Sequence, residues 1–244
     1  MRWYEVRKKN LRIVLYAVVL MGTLGVIRWI SAYATVMAET EFEKNRICLI
    51  IDPGHGGIDG GTSSHSGVLE STINLQIALC LEDLSHLLGF QTVMTRKEDT
   101  SIYTQGETIA QKKVSDLKER VKIANSAQNG LLVSIHQNYY PDDRYSGAQV
   151  FYGKGEGSEE IAKRLQSALV KNLNIGSKRK CKAGSGIYLM EHTDCPAILI
   201  ECGFLSNQKE ANQLQDKIYQ KILCKVIIAT ISCYINGVDR EVLR

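Results

Sequence analysis

No two of the seven cysteines in this 244-residue chain stand as Cys-x-x-Cys. That removes a thioredoxin-like redox motif and a paired-cysteine zinc site. None of the five histidines belongs to a His-Glu-x-x-His sequence, so the chain is not a zincin-type protease. The Walker pattern with its lysine is missing, and no G-x-G-x-x-G follows a strand at the right place. The glycine-rich stretch GHGGIDGG is therefore not read as a phosphate cradle. Internal repeats and low-complexity tracts are absent too. The body also lacks any excess of charge. Six of the 30 basic residues lie in residues 1–38, where Glu5 is the only acid, which leaves 24 basic against 25 acidic residues in 39–244. A body so close to neutral gives no electrostatic footprint for nucleic acid.

What is present begins with an export signal. Arg2, Arg7, Lys8, Lys9 and Arg12 precede the apolar run Ile13–Ile27, and small-residue patterns follow at Ala32-Tyr33-Ala34 and Val36-Met37-Ala38. This is the order of a signal peptide. The run has 15 residues, short of the ~20 that span a bilayer comfortably. Residues 1–38 are expected to be a signal peptide or an uncleaved membrane anchor, with the body exported because positive charge stays inside. Residues 39–46 read as a polar linker, and 47–244 as one domain. No wall-binding repeat is expected after it.

From Ile47 onward strands and helices alternate. Strands are expected at Ile47–Asp52, Phe90–Thr95, Gly130–His136, Gly147–Tyr152, Ile187–Met190 and Pro196–Glu201. Helices are expected at Leu69–Leu88, with Gly89 as a stop, at Val114–Ala127, at Glu159–Leu173, and as one or two segments in Glu210–Ile235. Residues 97–112 read as an exposed loop. The fold class is α/β: a single layered domain with a largely parallel or mixed twisted sheet flanked by helices.

Three of the expected strands run into residues able to bind metal or move protons: Asp52 through His55, then His136, and Glu201. Ligands of open α/β sheets bind outside the carboxyl ends of the strands, so His55, His136 and Glu201 are expected to converge. Two imidazoles suit zinc, and a catalytic zinc needs a third protein ligand and an open position. Glu70, in the first turn of the next helix, is the candidate third ligand, although near a helix start it would also favour the helix dipole. Glu201 is then left for proton transfer, completing the set of a zinc hydrolase. His65, His86 and His192 remain alternatives. His86 has a structural reading, whereas His192, in Glu191-His192-Thr193-Asp194, is a substrate-contact candidate. Several cysteines sit in apolar runs as core residues.

These pieces resemble the zinc N-acetylmuramoyl-L-alanine amidases of the amidase-3 family. The matching stretches are Ile51–Gly57, Leu69-Glu70-Ser71, Leu117–Asn125, Ser134–Asn138 and Ile200–Asn207, in family order. The resemblance implies zinc (Zn2+) held by His55, Glu70 and His136, with Glu201 as the catalytic carboxylate. Asn138 and Asp52 join His192 as supporting or substrate-contact candidates. It further implies a peptidoglycan substrate cut between the lactyl group and the stem peptide, and a dependence on activator proteins seen among related amidases. A compact chain with an export segment looks like the CwlD-type amidases of spore-forming bacteria, which act on spore cortex. Gln137 and Cys202 depart from the residues common in the family. The basic run Lys178–Lys182 reads as a solvated loop or as a contact for an acidic peptide.

Overall fold

A computed structural model describes residues 15, 16, 18–35, 37 and 47–237. The basic start, the expected linker 39–46 and the tail 238–244 lie outside the described residues. The chain divides into two units, Met1–Arg46 and Ile47–Arg244. In the first, helix α1 (Val18–Thr35) is long and apolar enough to cross a membrane by length and composition, with a mean hydropathy of 1.4.

The second unit is built on a six-stranded sheet in the order β2-β1-β3-β6-β4-β5. The strands are β1 (Cys48–Pro53), β2 (Gln91–Met94), β3 (Gly130–Asn138), β4 (Gln149–Tyr152), β5 (Lys182–Ala183) and β6 (Ala197–Phe204). β2, β1, β3 and β6 are parallel, β4 runs antiparallel to β6, and β5 is parallel to β4. Side chains alternate between the two faces. Leu49, Ile51, Leu131, Val133, Ile135, Ile198 and Ile200 share one core with α2 (Glu70–Leu87), α4 (Ser158–Asn172) and α7 (Lys217–Ile235). Ile50, Leu132, Ala197 and Leu199 share the other with α3 (Ile109–Ser126) and α5 (Tyr188–His192). Burial on both faces explains the continuous apolar runs of β1, β3 and β6. Helix α7 is also apolar enough to span a membrane, but its stripe of Leu223, Ile227 and Ile231 is buried in the first core. The short α6 (Gln208–Gln215) precedes it, capped by the Asn207 side chain.

Three sequence expectations need correction. Helix α3 begins at Ile109, capped by Thr108, so the last four residues of the expected loop 97–112 are helical. Ile187–Met190 is not a strand. Leu189 and Met190 are both buried in the α3-side core, whereas a strand would send adjacent side chains to opposite faces. β6 also continues past Glu201 to Phe204. His136 and Glu201 are therefore register partners inside the sheet, and the pairing shifts only between His136 and Asn138. Such irregularities re-aim side chains beside functional sites.

The loop after β1 is fixed from below by two buried guanidiniums. Arg120 donates to Asp52 Oδ1 at 2.6 Å, to the Pro53 carbonyl at 2.9 Å and to the His55 carbonyl at 2.7 Å. Arg96 donates to the Pro53, Gly54 and Ser71 carbonyls at 2.9–3.0 Å. Asp52 is fully buried and also accepts from the Thr95 and Ser134 hydroxyls, each at 2.6 Å. Burial alone would raise its carboxyl, but Arg120 and the two hydroxyls outweigh burial and hold it below the usual range. Because the folded value is depressed, this contribution is present above the unfolded value of ~3.9 and lost only as pH falls through the folded one. Arg120→Ala leaves Asp52 buried and unpaired and is expected to cost roughly 3–5 kcal/mol. Urea unfolding at pH 7 measures this, and a loss under ~1 kcal/mol would contradict it.

Candidate active site

His55 leaves the sheet at the end of β1 and adopts φ 61°, a left-handed conformation costly for a non-glycine residue. The Arg120 contact to its carbonyl holds it there. Its Nδ1 meets Asp59 Oδ2 at 2.9 Å, which turns Nε2 towards Glu70 Oε1 at 3.3 Å. From β3, His136 Nδ1 approaches the same oxygen at 3.1 Å. The two imidazole centroids lie 5.0 Å apart at 73°. One donor atom from each of His55, Glu70 and His136 falls within 4.8 Å of the others, a group able to hold a metal ion. Bonds of ~2.0–2.1 Å in a tetrahedron place neighbouring ligand atoms ~3.3 Å apart, so the two spacings to Glu70 fit a small tetrahedral cation.

Glu70 is buried and held on several sides. Oε1 accepts from the Gln137 backbone N–H at 3.0 Å and from Asn74 Nδ2 at 3.3 Å, and Oε2 accepts from Thr62 N–H at 3.1 Å. The Gln137 side chain donates in turn to Asn74 Oδ1 at 3.1 Å. These outer partners fix the carboxylate before any ion arrives. Burial would raise Glu70, yet His136 and His55 outweigh it and hold the carboxyl far below its ordinary value. Burial likewise opposes charge on His55, but the Asp59 and Glu70 carboxylates prevail and raise it to about 9.

Glu201 stands beside this set and outside it. Its partner across β3·β6 is His136, and across β4·β6 it is Gln149. Its Oε2 is buried and has no hydrogen-bond partner among the described residues. Burial pushes its carboxyl up. A carboxylate without such partners is poised to take and release a proton.

The remaining candidates are not all brought here. Asp52 lies under the loop, fully enclosed, where it supports Arg120 rather than facing a ligand. Asn138 ends β3 and ties it to the turn after β6 through its carbonyl, which accepts from Leu205 N–H at 2.8 Å. His192 sits at the opposite sheet edge. It stacks on Tyr188, and its carbonyl accepts from Asn125 just before the chain enters β3 at its amino end. His192, a substrate-contact candidate in the sequence, therefore lies away from the His55, Glu70 and His136 cluster. Sequence reasoning also missed Arg96, Arg120, Asp59 and Asn74. The only available signal was Arg120, inside the matching stretch Leu117–Asn125.

This α/β sheet gathers two imidazoles and a carboxylate able to hold a metal ion at one edge, with a second carboxylate alongside, a side-chain set that a hydrolase can use. The chain belongs to the N-acetylmuramoyl-L-alanine amidase family (Amidase_3), whose model matches residues 49–233, and it is an amide hydrolase. It is 39% identical over 188 residues to the germination-specific N-acetylmuramoyl-L-alanine amidase of Bacillus subtilis, covering 76% of this chain and 78% of that protein. The solved CwlD amidase from Clostridioides difficile, in complex with the GerS lipoprotein, superposes with a TM-score of 0.74 at 36% identity. That match covers 78% of this chain and 98% of that one. An N-acetylmuramoyl-L-alanine amidase structure from Clostridium difficile 630 gives 0.69 at 32% identity, covering 80% and 100%. The CwlD-type resemblance expected from the sequence is thus borne out.

Gly54 offers a direct test of the geometry. A Cβ there would collide with the His136 ring. Gly54→Ala is expected to displace that imidazole and weaken metal binding at least ~10-fold, the scale of lost orientation at such sites. Metal titration monitored by calorimetry, with circular dichroism confirming the fold, reads this out. Wild-type affinity would show that His136 is not a ligand.

Proposed function

We propose that this chain is a zinc-dependent amidase that hydrolyses the bond between the muramic acid lactyl group and the first alanine of the peptidoglycan stem peptide, in spore cortex. The observation that carries this reading is the spacing of 3.1–3.3 Å from Glu70 Oε1 to both imidazoles, beside an unpartnered Glu201 oxygen. His55 Nε2, Glu70 Oε1 and His136 Nδ1 would hold the ion, and Asp59 would fix the His55 ring. Zinc, when bound, supplies Lewis acidity that polarises the amide carbonyl and acidifies a water.

Glu201 does the proton work. Its carboxylate takes a proton from the attacking water and returns it to the amide nitrogen as the C–N bond breaks. Its raised affinity for protons, caused by burial, favours the uptake of the water proton. The products are glycan with a free lactyl carboxylate and a peptide with a free amino terminus. In cortex the exposed muramic acid is the precursor of muramic-δ-lactam.

Residues 1–38 are proposed to export the chain, as a cleaved signal or as an anchor through residues 13–27, with 47–244 as the catalytic domain. The C. difficile CwlD amidase was solved with a lipoprotein. That supports a membrane-associated protein partner here, acting on activity or metal loading.

Two outcomes are expected. Glu201→Gln lowers peptide release from purified sacculi by 10²–10⁴-fold while retaining zinc, and release within ~10-fold of wild type would sink the assigned role. Because His55 holds its proton up to about 9 in the metal-free chain, zinc binding at pH 7 should release about one proton, with affinity rising towards that pH. Calorimetry in buffers of differing ionisation enthalpy detects the release, and pH-independent affinity would contradict it.

A further inference from the structure

We propose that a basic groove flanking Glu201 seats the anionic peptide of the substrate, an inference that rests on the peptidoglycan reading above. The groove, about 1190 Å³ in volume, is lined by residues 142–147, 173–182 and the start of α6. It presents Arg144, Lys178, Arg179, Lys180, Lys182 and Lys209 against only two carboxylates, Asp142 and Glu210. Both acids are already engaged. Asp142 pairs with Arg144 at 2.6 Å, and Glu210 accepts from the Gly147 and Phe204 backbone N–H groups, each at 2.8 Å.

Lys178, Lys180 and Lys182 are exposed, and among the described residues no carboxylate is recorded within ion-pair distance of them. Three such ammonium groups within five residues repel one another, and a bound anion relieves that repulsion. The rest of the body does not share this bias, since residues 39–244 hold 24 basic and 25 acidic residues. The positive field is local to this groove.

Its position relative to the chemistry is set by the sheet. Gln149 lines the groove and is the register partner of Glu201, so the groove starts one strand away, ~4.8 Å. Gln149 Nε2 also donates to the Lys180 carbonyl at 2.5 Å, tying the basic segment to that strand. Arg179 is fixed by the Ser146 carbonyl at 2.9 Å and lies 4.8 Å over the Phe204 ring. It forms the floor, and the lysines have no recorded ion pair among the described residues. An extended peptide advances ~3.3–3.6 Å per residue. A stem peptide leaving the scissile amide therefore reaches the lysines within a few residues.

The test compares purified sacculi with sacculi whose peptide carboxylates have been converted to amides. Wild type and two variants are used, one with Lys178→Gln, Lys180→Gln and Lys182→Gln, the other with arginine at the same three positions. On untreated sacculi the glutamine variant should lose roughly 10-fold in kcat/KM, the effect of several exposed charge contacts, carried by KM. The arginine variant should match wild type. Amidation should bring wild type down to the glutamine variant and leave that variant unmoved. The amidation arm needs no variant, so a folding defect does not blunt it. If wild type releases peptide equally from both sacculi, or the glutamine variant keeps wild-type kcat/KM, the groove is not the peptide seat. An equal loss in the glutamine and arginine variants also overturns the proposal, because charge would not be the cause. If wild type releases no peptide from either sacculus, the amidase reading itself fails and this inference falls with it.

Discussion

The buried pairing of Asp52 with Arg120 is the constraint on which the rest of the site depends. β1 must end abruptly, and the chain must then carry His55 over the sheet edge in a left-handed conformation. Three consecutive carbonyls, from Pro53 to His55, lose their strand partners at that point. Arg120 and Arg96 supply replacement donors from beneath. A guanidinium offers five donors in a fixed fork, which suits this task better than a flexible ammonium. Asp52 balances the charge so that Arg120 can lie buried. Without the pair, either a bare carboxylate or a set of bare carbonyls would be stranded in the core.

The layer above inherits that rigidity. Glu70 is held by three donors from two other segments and its own helix, so the two imidazoles converge on an oxygen that cannot swing away. In the metal-free chain the carboxylates of Glu70 and Asp59 draw protons onto His55. A divalent cation would replace that proton with a stronger and more directional partner, so protons and metal compete for one cluster. Glu201 escapes the competition. It faces the cluster from the next strand, its Oε2 has no hydrogen-bond partner among the described residues, and burial raises its affinity for protons. Two kinds of carboxylate thus arise on one sheet edge from environment alone.

The layered α/β class and most elements were legible because their signals are local: buried strands as short apolar runs, helices as apolar spacing with glycine stops. The convergence of His55, His136 and Glu201 was legible because parallel strands put their carboxyl ends on one edge. Ile187–Met190 misled because four apolar residues satisfy a strand and a helix turn equally. His192 misled because proximity in sequence to β6 does not say which end of the strand it meets. Arg96, Asp59 and Asn74 were invisible for another reason: each acts across 4 to 43 positions on a backbone or side-chain atom, and no periodicity encodes such a partner. The basic run 178–182 could be seen, but only the sheet register placed it across β4 from the strand that carries Glu201.

The central claim is that this cluster directs water at a lactyl amide. Mass spectrometry of products released from purified sacculi in 18O-labelled water tests it most directly. The account predicts glycan whose new lactyl carboxylate carries one 18O, together with unlabelled stem peptides bearing a free alanine amino terminus. New reducing-end sugars, or label in a carboxylate within the peptide, would contradict it.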